Sequence, residues 1–427
     1  PGASSVLGAR EVAEAPPDGY TLGFFSTSAV TAQYTVPTPI PLSDFELVAI
    51  ADVDTSTFDA IKSKWPQAKC YQNWRELLEK EAGNIDSVNV SVPDHLHATM
   101  GAAVLNAGKH LYGQKPLTQN LKECRFITEL AREKGLMTQM GIQISSSFTE
   151  RFAVHLVQNG AVGKIKEVHT FSAKQWGDPE PLPQREDPIP PSLNWDHWLA
   201  MAAARPYLSG YYHPGNWRKR RDFGTGTLGD MGCHMFSGWM RALALTSPIT
   251  VKSTGPAPGK DNWAINGRVE YVFPGTAYTE GKEVKVTWTD GTNRPPQEVA
   301  DLVGGKIPGE GSLYIGTEGV LLCGHMSRPI IYPLEKGKGY KFPDLAPRDH
   351  YIEFLDCVRN GGAKPSANFD YAGPMTETVL LGCLASIFPQ QTLDWDGPAL
   401  KFKNSPDANQ FIGRSYRPGW EIPGMKA

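Results

Sequence analysis

The 427-residue sequence predicts an α/β protein with an N-terminal domain on a parallel, doubly wound sheet and a C-terminal α+β domain on an open, mainly antiparallel sheet. Three observations carry this expectation. Short apolar runs alternate with amphipathic helices from Phe45 to about Met140, the pattern changes after about Gly141, and β-branched and aromatic segments dominate thereafter. The chain is too long for one ordinary core, and the two domains are expected over residues 1–143 and 144–427.

In the first domain Glu46–Ala51 reads as a buried strand, Ser56–Lys64 and Trp74–Glu81 as helices, and Asp86–Ser91 as a strand. Asp94–Ala107 carries Leu96, Met100, Ala103 and Val104 at helical spacing, with Asp94 as an N-cap and Gly108 as the stop. His110–Tyr112 is the next strand, Leu121–Lys134 a helix, and Leu136–Met140 a strand. Repeated strand–helix–strand units of this length imply parallel pairing. Beyond them come a helix at Phe148–Gln158, a strand at Ile165–Ala173 and a proline-rich stretch from Asp178 to Pro214. Further strands are expected at Thr250–Ser253, Gly267–Phe273, Val284–Thr289, Ser312–Ile315 and Val320–Leu322, and helices at Asp349–Arg359 and Gly373–Phe388 close the sequence.

Composition narrows the function. Lys+Arg 42 against Asp+Glu 45 gives no electrostatic reason for a nucleic-acid or membrane-surface partner. No apolar run approaches the roughly 20 residues of a membrane helix. The six cysteines are scattered, so reduced thiols are expected rather than disulfides or a structural metal site. The basic run Arg218–Arg221 reads as a solvated loop or one that contacts an anion or sugar.

Three elements carry chemistry. Asp52 ends the strand Leu47–Ala51, where a carboxylate in a dinucleotide fold accepts the ribose hydroxyls and repels a 2′-phosphate, favouring NAD over NADP; alone it is equally a surface turn acid. Lys115, in Gly113-Gln114-Lys115-Pro116-Leu117, follows a strand, at the edge where such sheets bind ligands; alone it reads as a lysine in a turn. Gly224–His234 is a glycine-rich loop entering a helix, with Asp230 in the first turn and His234 four residues on, one face presenting both. A carboxylate beside an imidazole can orient it for proton transfer; in isolation the pair reads as a capping acid and a core histidine.

Taken together, Asp52, Pro93-Asp94-His95-Leu96-His97, Ala107-Gly108-Lys109-His110, Lys115-Pro116-Leu117 and Gly226–His234 resemble the Gfo/Idh/MocA oxidoreductases in order and spacing, from about Glu46 to the C-terminus. The resemblance implies a Rossmann domain, an α/β domain whose open sheet forms a dimer or tetramer, and hydride transfer to or from a sugar or polyol carbon. It gives Lys115, Asp230 and His234 as the catalytic set: Lys115 on the substrate hydroxyl and nicotinamide ribose, His234 as acid/base, Asp230 assisting. The expected cofactor set is Ser26, Ser28, Asp52, Ser91, Pro93, His97, Gln114 and Lys115. The expected substrate set is His213, Trp217 and Arg218. His95 and His97 also have metal-pair spacing, but no further ligand lies nearby in sequence, and no metal is expected.

Three positions depart from the family pattern. Gln114 stands where glutamate usually precedes the lysine, and Ile142 where a polar residue is common. Ser26-Thr27-Ser28-Ala29-Val30 follows the candidate first strand Thr21–Phe25 in place of G-x-G-x-x-G, whose glycines allow close approach of the pyrophosphate. The first 45 or so residues, with Pro17-Asp18-Gly19-Tyr20-Thr21-Leu22, resemble a segment of tripartite tricarboxylate transporter solute-binding proteins, which suggests a chimeric junction near Asp44 or a drifted first βα unit. Other readings are an NAD-dependent glycoside hydrolase and a sugar- or carboxylate-binding protein without cofactor. A cytoplasmic location is expected, or export if a leader preceded Pro1.

Overall fold

The computed structural model describes Leu22–Gly23, residues 47–338, Tyr340 and residues 343–425. Among the described residues, six strands build the N-terminal domain: β1 (Leu22–Gly23), β2 (Ala49–Ala51), β3 (Lys69–Tyr71), β4 (Ser87–Val90), β5 (His110–Gly113) and β6 (Thr138–Met140). β1, β4, β5 and β6 pair in that order, all parallel, and β2 and β3 form a second parallel pair. Parallel pairing needs crossovers, and these are helical. Among helices of seven residues or more, α1 (Phe58–Lys64) leads to β3, α2 (Trp74–Glu81) to β4, α3 (His97–Asn106) to β5 and α4 (Leu121–Lys134) to β6. The carboxyl ends of β4, β5 and β6 therefore share one edge, which in such sheets is the ligand edge.

Local signals set these boundaries. Asn73 and Asn120 cap α2 and α4 by accepting the main-chain N–H groups of Arg75 and Glu123. Gly135 ends α4 in the left-handed region that glycine enters without penalty. Asp94 does not cap α3 as expected. It lies in a 3-10 turn (Asp94–Leu96), and its carboxyl faces away from the helix to accept the Thr225 hydroxyl, 131 residues further along the chain.

Nine strands form the C-terminal sheet: β7 (Ile165–Ser172), β8 (Thr250–Ser253), β9 (Arg268–Pro274), β10 (Glu283–Asp290), β11 (Glu310–Gly316), β12 (Val320–Gly324), β13 (Ile330–Tyr332), β14 (Thr392–Asp396) and β15 (Lys401–Phe402). Their order is β13-β12-β11-β7-β10-β9-β8-β14-β15, antiparallel apart from the central β7–β10 pair. Helices α5 (Phe148–Gln158), α6 (Gly226–Ala242), α7 (His350–Asn360) and α8 (Phe369–Ala385) accompany it. The expectation that two helices close the sequence is corrected: β14 and β15 follow α8, with Leu393, Trp395 and Phe402 buried on alternate positions. Phe236 and Trp239 of α6 pack edge-on against Tyr271, Phe273 and Trp288 of the sheet, all essentially buried. These large aromatic faces carry much of the burial that holds the helix down.

Helix α8 lies against both α6 and α4 and so joins the two domains. Arg125 of α4 meets Glu377 of α8 through two parallel contacts of 2.7 and 2.8 Å. Gly373 permits the approach, since a Cβ there would collide with the Thr128 side chain. This seam fixes α6, and the site on it, relative to the carboxyl edge of the parallel sheet.

Candidate active site

Lys115 sits just past β5 and Asp230 on α6, and the fold brings them together across the domain boundary. The Lys115 ammonium donates to Asp230 Oδ1 and to the Asp230 main-chain carbonyl, both at 2.8 Å. Arg218 Nε donates to the same Oδ1 at 3.2 Å. Asp230 is the fifth residue of α6, not in its first turn as expected, so the two cations rather than the helix terminus hold its charge. Burial works against ionisation there, yet Lys115 and Arg218 hold the carboxyl well below the usual carboxylate range.

His234 lies one turn beyond Asp230 on the same face. Burial, with Lys115, His325 and Lys174 nearby, pushes its imidazole well below its ordinary value, Asp230 opposing. The ring is therefore neutral, the only form that can accept a proton, although these surroundings lower its basicity. Its ring centroid is 5.5 Å from that of His325, in the turn after β12. Both histidines line a pocket between α5, α6 and the sheet, with Glu150, Tyr314, Cys323 and Ser327.

The substrate candidates divide. Arg218 joins Asp230 directly, and its guanidinium lies over the rings of Trp217 (4.3 Å) and Trp176 (5.4 Å). Trp217 is buried beneath it. His213 instead faces Asp54, beyond β2, at 3.7 Å. The basic run is not uniformly solvated: Arg220 is buried, donates to Asp178, to the Asn262 side chain and to the Tyr211 carbonyl, and stacks on Tyr211. Its Nε and Nη1 are both engaged by acceptors, which makes it a structural pin.

Family models match nearly the whole chain. The model described as oxidoreductase family, NAD-binding Rossmann fold, matches residues 24–142, and that described as oxidoreductase family, C-terminal alpha/beta domain, matches residues 156–422. The chain belongs to the Gfo/Idh/MocA oxidoreductase family. Among curated proteins it resembles a levoglucosan dehydrogenase from Pseudarthrobacter phenanthrenivorans, 23% identical over 38% of this chain and 34% of the relative. It also resembles an alpha-N-acetylgalactosaminidase from Shewanella oneidensis, 29% identical over 29% of this chain and 28% of the relative. The matches span under half the length of the first curated relatives. In fold it resembles the Bordetella pertussis WlbA dehydrogenase solved with NADH and UDP-GlcNAcA, with a TM-score of 0.60, 14% identity, and coverage of 88% of this chain and 99% of that one.

The NAD-binding Rossmann fold carries its nucleotide at the carboxyl edge of the sheet, beside Asp52, Ser91, Pro93 and Gln114. Asp52 follows β2, its Oδ1 accepting the Asp54 main-chain N–H at 2.9 Å. Ser91 follows β4 and donates to Asn89 at 2.8 Å, and Pro93 introduces the 3-10 turn. Gln114 follows β5 and lies over Gly141, where a Cβ would meet its Oε1 at 2.5 Å. His97 is buried, with both ring nitrogens against main-chain carbonyls rather than open to the cleft. Ser26 and Ser28, with the loop to Val30, lie outside the described residues, although the family match includes them.

Sequence reasoning missed Trp176, Lys174, Glu150 and His325. Trp176 is held by a 2.8 Å bond from its main-chain N–H to Thr227 Oγ1, at the start of α6. His325 reaches His234 only through the β11–β12 hairpin register. No local pattern signals either. Among the described residues no helix is long and apolar enough to cross a membrane, no cluster could hold a metal, and the six cysteines are free.

Proposed function

We propose that this oxidoreductase transfers hydride between NAD and a hydroxyl-bearing carbon of a sugar, polyol or sugar derivative, with Lys115, Asp230 and His234 as its reaction centre. The observation that carries the reading is the Lys115–Asp230 contact across the domain boundary, one helical turn from the half-buried His234 imidazole. Bound NAD would supply the hydride acceptor or donor. In the oxidative direction Lys115 orients the substrate hydroxyl and stabilises developing negative charge on its oxygen. His234, neutral in its desolvated setting, takes the hydroxyl proton on a ring nitrogen. Asp230 holds the Lys115 ammonium in place, and Arg218 over Trp217 shapes the substrate side. Asp52 favours NAD over NADP by placing a carboxylate where the 2′-phosphate would lie. The names of the levoglucosan dehydrogenase and WlbA relatives support the sugar class.

The test is sugar- and polyol-dependent NADH formation by the wild type, Lys115→Ala and His234→Ala. Equal rates for all three on every active substrate would remove this centre from the reaction. The alpha-N-acetylgalactosaminidase relative favours a second reading, glycoside cleavage with transient oxidation of the sugar. Release of an aryl aglycone without net NADH formation would select it.

A further inference from the structure

His97 has an unusual pair of partners. Its Nδ1 lies 2.6 Å from the Pro116 carbonyl oxygen, and its Nε2 lies 2.9 Å from the Val92 carbonyl oxygen. Carbonyl oxygens only accept, and a neutral imidazole has one N–H. A neutral ring would therefore set a lone pair against one of the two oxygens inside a buried residue. Only the ring with a proton on each nitrogen serves both carbonyls.

Asp94 lies on the same turn. Asp94 is buried and accepts the Thr225 hydroxyl at 2.6 Å. Burial pushes its carboxyl up, and His97 is the foremost group opposing this, ahead of Thr225, Arg218 and Lys115. The charged groups facing the turn are thus Asp94 itself, Lys115 from the loop after β5, and Arg218 from the segment before α6. His95 beside it is fully buried, with its Nε2 at the Trp198 carbonyl and its imidazole pushed down to about 3, so it is neutral; Arg414 lies beyond it.

We propose that His97 is a doubly protonated positioning residue that pins the Pro116 carbonyl and thereby fixes the neighbouring Lys115 against Asp230. The Val92 bond anchors the ring to the end of β4, and the Pro116 bond ties it to the chain one residue beyond Lys115. Through Thr225 the same turn grips the start of α6, which carries Asp230. Both ends of the Lys115–Asp230 contact are held from one point. This follows from the geometry alone and does not rest on the substrate.

Ring nitrogen–proton correlation spectra of the full chain with ¹⁵N-histidine, at about pH 8 where a free imidazole is neutral, test the protonation. His97 is one of ten histidines and is assigned by its loss in His97→Phe and, independently, in His97→Gln. Two protonated ring nitrogens are expected; one protonated and one bare nitrogen overturns the proposal. A crystal structure of His97→Gln tests the positioning. Lys115 Nζ should move from 2.8 Å to beyond about 4 Å from Asp230 Oδ1; an unmoved contact overturns it. Any of these failures leaves hydride transfer untouched, because that reading is tested by NADH formation.

Discussion

Lys115 Nζ lies 2.8 Å from both the side-chain Oδ1 and the main-chain oxygen of Asp230, so one ammonium group reads the position as well as the charge of α6. Lys115→Met should lower turnover by about 100-fold or more, as loss of a group acting on the reacting oxygen does. Arg218 remains on Asp230, so the stability loss should stay near about 1–2 kcal/mol. Steady-state kinetics and urea denaturation check the two figures. An unfolded variant would mean that the contact is primarily structural.

Glu150 should make stability fall as pH rises. Burial pushes its carboxyl up to about 7, with Arg241 and the Ser237 hydroxyl opposing only in part. A raised folded value means that the contribution is full below the unfolded value of 4.5 and is lost as pH rises through about 7. The wild type should lose up to roughly 3 kcal/mol over that window, and Glu150→Gln should not. Melting temperatures of both proteins at three pH values measure the difference, and parallel curves would refute it.

Gly382→Ala should destabilise without touching the site. The added Cβ would collide with the Tyr271 hydroxyl, and the Tyr271 ring is wholly buried against Phe236 and cannot swing out. Overpacking of this kind costs about 1–3 kcal/mol. Calorimetry should show a lowered Tm with unchanged KM in the cold.

Asp52→Ser should narrow the preference for NADH over NADPH. Removing the carboxylate removes its repulsion of the 2′-phosphate and its acceptance of the ribose hydroxyls. Competitive titration with both nucleotides reads the ratio. A preference unchanged from wild type would place the ribose elsewhere.

Much of the architecture was legible because its elements are long and strongly patterned. Trp74–Glu81, Leu121–Lys134 and Phe148–Gln158 form helices over the residues their apolar spacing indicates. The strands β3, β13, β14 and β15 were not foreseen. Each is five residues or fewer, and Lys69, Lys401 and the two aspartates of β14 dilute the apolar signal. Within the site, the four-residue spacing of Asp230 and His234 was readable, since it depends on one helix. Asp94–Thr225, His234–His325 and Lys115–Asp230 join distant segments, and residue type alone does not report which neighbours a fold supplies. Arg220 shows the converse: in sequence it is one of four adjacent basic residues, yet burial against Asp178, Asn262 and Tyr211 sets it apart.

The most direct test of the central claim is a fluorescence titration of the full chain with NADH. Saturable binding with a Kd below about 1 mM is expected. No binding at that concentration would contradict it and favour a sugar- or carboxylate-binding protein that has kept the catalytic helix but not the cofactor.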